Sequence, residues 1–215
     1  MATVAAESHR ERKKARTRAA MIEVSQRLFA EQGYPRTTVE QICVEVDVRP
    51  QTLFRYFDSK ATLALAPLTD ALDGLAAFLT HAGRESPAVE VWREYVRLEA
   101  HEMLAPTTPT TAAYVENLRA FRRWAEDEPV LIAMATDVAR RTSELLAGAI
   151  AADRAAEPDD LDANLFATTL VSGRTLLYER WLARRLPDDE LVDRQVALIA
   201  DVVDLFAARG PLLGP

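Results

Sequence analysis

Apolar side chains recur at every third or fourth position along most of the chain, which is the period of an amphipathic helix. After residue 60 the pattern is interrupted by short clusters of Pro, Gly and polar residues, and no segment alternates apolar and polar positions as a strand does. These breaks predict helices with approximate spans of 60–80, 87–104, 110–126, 129–153, 159–185 and 188–208. The sequence therefore predicts an all-α fold.

Two shorter helices are predicted between residues 36 and 63, on either side of a tight turn. Thr37 or Thr38 can cap the first helix by accepting a hydrogen bond from an unpaired backbone N–H. Asp47 is placed at the turn, because Asp tolerates a left-handed backbone better than most residues do. The apolar positions of this helix fall on one face, at Val39, Ile42, Cys43 and Val46.

The second short helix opens on Pro50, a favoured first residue because proline has no N–H to leave unpaired. Leu53 and Phe57 face inward, and Asp58 and Ser59 end this helix before the next begins near Lys60. The residues that it turns outward are Arg49, Pro50, Gln51, Thr52, Arg55 and Tyr56. Two short helices around a turn, with such an outer surface, predict a helix-turn-helix DNA reader.

From about Arg16 to Leu63 the chain resembles the DNA-binding domain of the TetR family of transcriptional regulators. The resemblance rests on the helix MIEVSQRLFAEQGY, the start of the next helix at Thr37–Val39, the block Leu53–Phe57 and the pair Ser59–Lys60. It covers somewhat under a quarter of the chain.

Four positions depart from the family pattern. Cys43 and Val46 replace small alanines and Asp47 replaces the turn glycine, so we expect a slightly changed packing angle between the two helices. Phe54 replaces a tyrosine and lacks the hydroxyl that often reaches a phosphate in the family. We interpret Cys43 as a small buried hydrophobic residue, with a redox switch as the alternative.

The resemblance implies a protein in two parts. Residues 1–60 would form a basic amino-terminal arm and a three-helix DNA-binding domain, and residues 61–215 a helical ligand-sensing and dimerisation domain. Such a protein binds a pseudo-palindromic double-stranded DNA operator as a homodimer, as a repressor released by a small hydrophobic or amphipathic effector. The alternative is a DNA-binding regulator without a ligand, controlled by a protein partner or by its own abundance.

Contacts with DNA are expected from the second short helix and from the residues around it. Those expected at base edges or in the groove are Gln51, Thr52 and Arg55, with Arg49 and Pro50 at the helix entry. Those expected at phosphates are Thr37, Thr38, Tyr56 and Lys60.

Charge is distributed unevenly along the chain. Residues 1–60 carry eleven Lys and Arg against eight Asp and Glu, whereas the remainder carries fifteen against twenty-five. A basic tail can follow the phosphate backbone or enter the neighbouring minor groove, with an affinity that falls as salt rises. The alternative is a solvated leader. The basic residues of this tail are Arg10, Arg12, Lys13, Lys14, Arg16 and Arg18.

The last two predicted helices carry apolar stripes with small residues between them. Core packing uses part of both stripes, and the resemblance implies that the same helices form a four-helix dimer interface. A dimer is also favoured because one short recognition helix makes few base contacts. The residues expected at the interface are Leu170, Gly173, Leu177, Trp181, Ile199 and Val203.

The resemblance also implies a ligand pocket within the helical bundle. The candidate lining residues are Trp92, Tyr95, Met103, Phe121, Trp124, Phe166 and Tyr178. Aromatic and Met side chains at helical spacing more often belong to the core, and that alternative stays open for each of them.

No motif of a common enzyme class occurs, whether G-x-G-x-x-G after a strand, G-x-x-x-x-G-K or G-x-S-x-G. The carboxylates of Glu94, Glu99 and Glu102 are expected on a solvated helix face. Three His and one Cys do not predict a metal site, and no cofactor is expected. We therefore expect a protein that is not an enzyme.

No apolar run approaches the roughly 20 residues that a membrane-spanning helix needs. The amino terminus is charged and lacks the apolar segment of a secretory signal. We therefore expect a cytoplasmic protein without a membrane partner.

Overall fold

The computed structural model describes residues 9–81 and 84–209, without the side chains of residues 9, 121–123, 125–127 and 209. Within these ranges the chain is helical and contains no strand, which confirms the all-α prediction. The helices are α1 (His9–Gln32), α2 (Val39–Val46), α3 (Pro50–Phe54), α4 (Lys60–Ala64), α5 (Ala66–Leu79), α6 (Ala88–Leu104), α7 (Pro109–Asp127), α8 (Pro129–Asp153), α9 (Leu161–Leu182) and α10 (Asp188–Arg209).

One predicted helix span is wrong. The span 60–80 is divided into α4 and α5, which part at Leu65, because Pro67 has no N–H to donate to the carbonyl of Leu63. The basic tail is helical from His9 onward and forms the first turns of α1. Residues 9–18 contain neither Gly nor Pro and are rich in Arg and Lys, which favour helix. Residues 1–8 of the expected arm lie outside the described residues.

Contacts divide the chain into two compact units. The first unit comprises residues up to Pro67 together with Thr108–Leu131, so it contains α1 to α4 and α7. Its α1 packs against α2, α4 and α7. The core of this unit includes Phe29, Ile42 and Leu53, each exposed by 1% or less. The domain boundary at residue 60 stays a prediction, although α7, which lies beyond it, is part of this unit.

The second unit comprises Leu68–Thr107 and the residues from Ile132 onward. Its core surrounds Trp92, with Leu146, Leu170 and Ile199 also buried. Helices α9 and α10 pack against each other, and the indole Nε1 of Trp181 donates a hydrogen bond to Asp188 Oδ1 at 2.7 Å. None of the helices formed by the described residues is long and apolar enough to cross a membrane.

Candidate nucleic-acid interface

The connection between α1 and α2 fixes the start of the helix-turn-helix. Gly33 ends α1 with a φ of 86°, a conformation that glycine adopts without a Cβ clash. Thr38 caps α2, because its hydroxyl accepts from the Gln41 N–H at 3.2 Å while Gln41 Oε1 accepts from the Thr38 N–H at 2.9 Å. This reciprocal pair is a capping box, so Thr38 rather than Thr37 is the cap.

Thr37 lies inside the first unit, with only 1% of its surface exposed. Its hydroxyl donates to the carbonyls of Gly33 at 3.0 Å and Leu28 at 3.3 Å. A buried hydroxyl needs such partners, because burial without them is unfavourable. The phosphate contact expected for Thr37 stays a prediction, and it would require the hydroxyl to leave these carbonyls.

The turn after α2 has the backbone conformation that the sequence predicts. Asp47 is left-handed, with φ 55° and ψ 53°. The turn is closed by the Val48 N–H, which donates to the Cys43 carbonyl at 2.9 Å. Cys43 is buried, which agrees with its interpretation as a core residue, and burial raises the pKa of its thiol.

Helix α3 presents the outward surface expected of a recognition helix. Leu53 and Phe57 are buried, and Pro50 opens the helix as its first residue. Exposed side chains on and beside the helix include Arg49, Gln51 and Arg55, while Pro50, Thr52 and Tyr56 are half-buried. The Arg55 guanidinium carbon lies 5.7 Å from the centre of the Tyr56 ring. The contacts expected between these residues and DNA stay predictions.

Two exposed apolar side chains of α2 and α3 were not among the expected contacts. Phe54 of α3 is 49% exposed and Val44 of α2 is 79% exposed. Val44 lies outside the apolar stripe of α2, which is the sequence signal that could have identified it. Phe54 stands out in the sequence only as a departure from the family pattern.

Lys60 holds the loop between α1 and α2. Its ammonium donates to the carbonyls of Tyr34 at 3.0 Å and Thr37 at 3.1 Å, and it lies 4.1 Å from the centre of the Tyr34 ring. Burial lowers the pKa of this ammonium, although Glu128 opposes the shift. The phosphate contact stays a prediction, and it would require the ammonium to leave these carbonyls.

The basic residues of α1 remain candidates for phosphate contact. Those exposed are Arg10, Arg12, Lys13, Lys14 and Arg16. The Arg18 guanidinium carbon lies 5.3 Å from the centre of the Phe57 ring. A helix is about 10–12 Å wide and the minor groove about 6 Å, so the helix itself does not fit that groove and only its side chains could enter it.

Residues 21–66 match the family model described as "Bacterial regulatory proteins, tetR family". The helix-turn-helix segment belongs to the TetR family. Over 80 residues the chain is 46% identical to the HTH-type transcriptional regulator TcmR of Streptomyces glaucescens. That alignment covers 36% of this chain and 35% of TcmR, so it spans about a third of the relative's length.

Solved structures of TetR-family proteins share the fold along most of the chain. Thermus thermophilus FadR, a TetR-family transcriptional repressor in complex with lauroyl-CoA, is 19% identical, with a TM-score of 0.63 over 92% of this chain and 99% of that chain. A TetR-family transcriptional regulator from Streptomyces coelicolor is 18% identical, with a TM-score of 0.57 over 91% of this chain and 84% of that chain.

Trp124 of α7 contributes to an aromatic cluster in the same unit as the TetR-family segment. Its ring stacks on Tyr34 with centroids 5.8 Å apart and meets the edge of Phe29 at 6.3 Å. Burial, with a smaller effect of Glu128, raises the pKa of Tyr34 to about 12. Trp124 also lines a pocket with room for about one water molecule. The other lining residues are Ala64, Leu65, Tyr114, Asn117, Leu118 and Leu131.

Three of the other ligand candidates meet around a buried ion pair in the second unit. The Arg174 guanidinium donates to Glu99 Oε2 through Nε at 2.9 Å and also through a terminal nitrogen. The hydroxyls of Tyr178 and Tyr95 donate to Glu99 at 3.3 and 3.4 Å, and the ring of Trp92 stacks on Tyr95. Glu99 is therefore largely covered and paired with Arg174, rather than on the solvated face that the sequence predicts.

Phe166 belongs to the same apolar core as Trp92, against which Tyr95 also packs. Phe166 packs edge-on against Phe206, with ring centroids 4.8 Å apart, within the core of the second unit. Met103 is half-buried near the end of α6. The side chain of Phe121 lies outside the described residues. The ligand role of all seven candidates stays a prediction.

The expected dimer interface contains residues that the chain buries by itself. Leu170, Trp181 and Ile199 are exposed by 0%, 3% and 1%, because α9 and α10 use them in the core of the second unit. A Cβ added to Gly173 would lie 2.6 Å from Leu198 Cδ2, so that position is also covered within the chain. Leu177 and Val203 are half-buried. The apolar residues that these helices expose are instead Leu161, Leu165, Leu176 and Leu205.

Proposed function

We propose that this protein is a DNA-binding transcriptional regulator that reads a pseudo-palindromic operator through α3 in the major groove. The observation that carries the proposal is the outer surface of α3, where Arg49, Gln51 and Arg55 are exposed above the buried Leu53. A short helix with such polar side chains can donate to and accept from base edges.

Within this proposal, Gln51, Thr52 and Arg55 contact bases, and Arg49 and Pro50 lie at the helix entry. The exposed ring of Phe54 joins them, because an aromatic side chain can contact the methyl group of thymine. The phosphate contacts come from Thr38, Tyr56 and the exposed basic face of α1. Arg and Lys on that face add affinity that does not depend on sequence and that falls as salt rises.

The protein is proposed to act as a homodimer. Helix α3 has only five residues, and two copies on one DNA would double the number of bases read. The exposed leucines of α9 and α10 support a dimer surface, since they are apolar side chains on neighbouring helices. Leu165, Leu176 and Leu205 therefore replace Leu170, Trp181 and Ile199 as the proposed interface residues.

A repressor released by a small hydrophobic or amphipathic effector is the form of regulation we propose, acting in the cytoplasm. The structural likeness to a repressor bound to lauroyl-CoA supports a ligand-responsive fold. The alternative is a regulator without a ligand that responds to a protein partner or to its own abundance.

Selection of the tightest binders from random DNA at near-physiological salt tests the proposal. We expect a two-fold symmetric site, and we expect Gln51→Ala to relax the preference at one base position of each half-site. Glu40→Ala, at an exposed position of α2, is the matched control and should leave the preference unchanged. A folded dimer that enriches no sequence would contradict the proposed function.

A further inference from the structure

Two buried amides link three helices of the first unit. Gln26 of α1 and Asn117 of α7 are exposed by 0% and 5%, and they are 91 residues apart in sequence. Asn117 Nδ2 donates to Gln26 Oε1 at 2.7 Å and to the Gln26 carbonyl at 3.0 Å. Gln26 Nε2 in turn donates to the carbonyl of Ala64, the last residue of α4, at 3.0 Å. We call Asn117, Gln26 and the Ala64 carbonyl the amide relay.

The direction of each hydrogen bond in the amide relay is determined by the backbone. The Gln26 and Ala64 carbonyls can only accept, so the side-chain atoms that face them must be the NH₂ groups. Asn117 Oδ1 is left buried and has no hydrogen-bond partner among the described residues. Asn117 is therefore held by its two donated bonds, despite the unfavourable burial of its oxygen.

Helix α4 is anchored at both ends to the α1–α2 region. At its start, Lys60 donates to the carbonyls of Tyr34 and Thr37, and at its end the Ala64 carbonyl accepts from Gln26. Only five residues separate α3 from α4. A connection this short restricts how far α3 can move when α4 is held in place.

We propose that Gln26 and Asn117 are positioning residues for DNA binding, which hold α4 and α7 against α1 so that α3 presents its outer side chains in one orientation. This inference rests on the proposed function. Because Asn117 belongs to α7, a displacement of α7 reaches α1 directly through Gln26, and reaches α4 through the same side chain.

The test compares Gln26→Met, Asn117→Leu and the double variant with the full-length protein on its selected operator. We expect each single variant to bind about tenfold more weakly, with an unchanged dependence on salt because no phosphate contact is lost. The operator affinity of the double variant should be no lower than that of the single variant with the lower affinity, because either change already breaks the amide relay. Circular dichroism and size-exclusion chromatography at low temperature establish that each variant is folded and has the same oligomeric state.

Gln195→Met is the matched control. Gln195 of α10 is a glutamine of the second unit, exposed by 1%, whose amide atoms have no hydrogen-bond partner among the described residues. Its replacement should leave operator affinity unchanged. If Asn117→Leu does not fold, Asn117→Ala serves in its place, since it removes the NH₂ donor without adding volume or charge.

Unchanged operator affinity in the folded variants would overturn the inference while leaving the proposed function intact. A reduced dependence on salt would also overturn it, because it would mean that the relay residues contribute a phosphate contact. If the wild-type protein enriches no DNA sequence, the proposed function fails and the inference fails with it.

Discussion

In the first unit, the side chains of Ser25, Gln26, Thr37 and Asn117 are buried and neutral, and each donates a hydrogen bond to a backbone carbonyl. In the second unit, the central polar group is an ion pair, with only 14% of the Arg174 side chain and 12% of the Glu99 side chain exposed. Neutral donors to the backbone define where helices and turns lie. A buried ion pair joins two helices, but it becomes strongly unfavourable when one partner is lost.

The pKa values of the groups in and around this ion pair add to the difference between the two units. Burial alone would lower the pKa of Arg174, but Glu99 outweighs it and the net shift is upward. Burial, together with Glu99, raises the pKa of Tyr95 and Tyr178. The second unit therefore keeps Arg174 charged and the phenols of Tyr95 and Tyr178 protonated across the ordinary pH range. The difference between the units can be tested by removing one group from each.

The largest effect is expected from Glu99→Leu. It leaves the Arg174 guanidinium buried without its carboxylate, and we expect a loss of about 3–5 kcal/mol in the free energy of unfolding. Urea denaturation measures this loss. The double variant Glu99→Leu/Arg174→Leu should recover much of it, because no unpaired charge remains. If Glu99→Leu is as stable as the wild type, the second unit does not depend on this ion pair, and the proposed difference between the two units is wrong.

The second effect concerns Lys60 in the first unit. Lys60→Ala removes two hydrogen bonds to carbonyls, and because the side chain is partly exposed we expect a loss of only about 1–2 kcal/mol in unfolding free energy. Operator binding should weaken with an unchanged dependence on salt. Lys14→Ala, at an exposed position of α1, is the control and should lower the salt dependence by about one unit if it contacts a phosphate. A lowered salt dependence for Lys60→Ala would instead support the phosphate contact predicted from the sequence.

A third test uses an ion pair of the second unit that is less buried. The side chains of Arg84 and Asp153 are 13% and 29% exposed, and Asp153 also accepts from the Ala88 N–H at the start of α6. Burial raises the pKa of Asp153, but Arg84 and the Ala88 N–H outweigh burial and the net shift is downward. A lowered carboxyl pKa stabilises the folded state above the ordinary Asp value of about 4, and this stability is lost as pH falls through the folded value.

Asp153→Asn should therefore cost about 1 kcal/mol at neutral pH, which is less than Glu99→Leu costs. Its unfolding free energy should also decline less steeply below about pH 4. Denaturant titrations at several pH values measure both effects. If the unfolding free energy of the variant declines with falling pH as steeply as that of the wild type, other carboxylates determine the loss of stability in acid.

The smallest effect should be the same in both units. Asp47 and Arg184 have φ values of 55°, and glycine accepts this conformation more readily. Asp47→Gly and Arg184→Gly should each stabilise the protein by about 0.5–1 kcal/mol. Asp58→Gly, at a position without a positive φ, should destabilise it. Thermal unfolding of the three variants measures these changes in stability. If only one of Asp47→Gly and Arg184→Gly stabilises the protein, tertiary contacts rather than backbone strain control these turns.

Local pattern was sufficient for the parts of the fold that depend on neighbouring residues. The all-α class, the helix-turn-helix, the left-handed turn at Asp47 and the burial of Leu53 and Phe57 all follow from helical period and residue preference. The break at Leu65 had a local signal in Pro67 that the apolar pattern concealed. The surface of α3 was predicted in the same way, except for Phe54, which the structure places among its exposed residues.

Tertiary structure decided which side chains form hydrogen bonds or ion pairs with residues distant in sequence. Lys60 meets carbonyls 26 and 23 residues away, and Arg174 meets a carboxylate 75 residues away. Leu170 and Ile199 belong to the core rather than to an exposed face, because α9 and α10 cover each other. The sequence by itself determined where most helices begin, turn and end, since these depend on residues a few positions apart. Which polar groups lie at the surface depended on the packing of helices, because a buried donor must find an acceptor wherever the fold provides one.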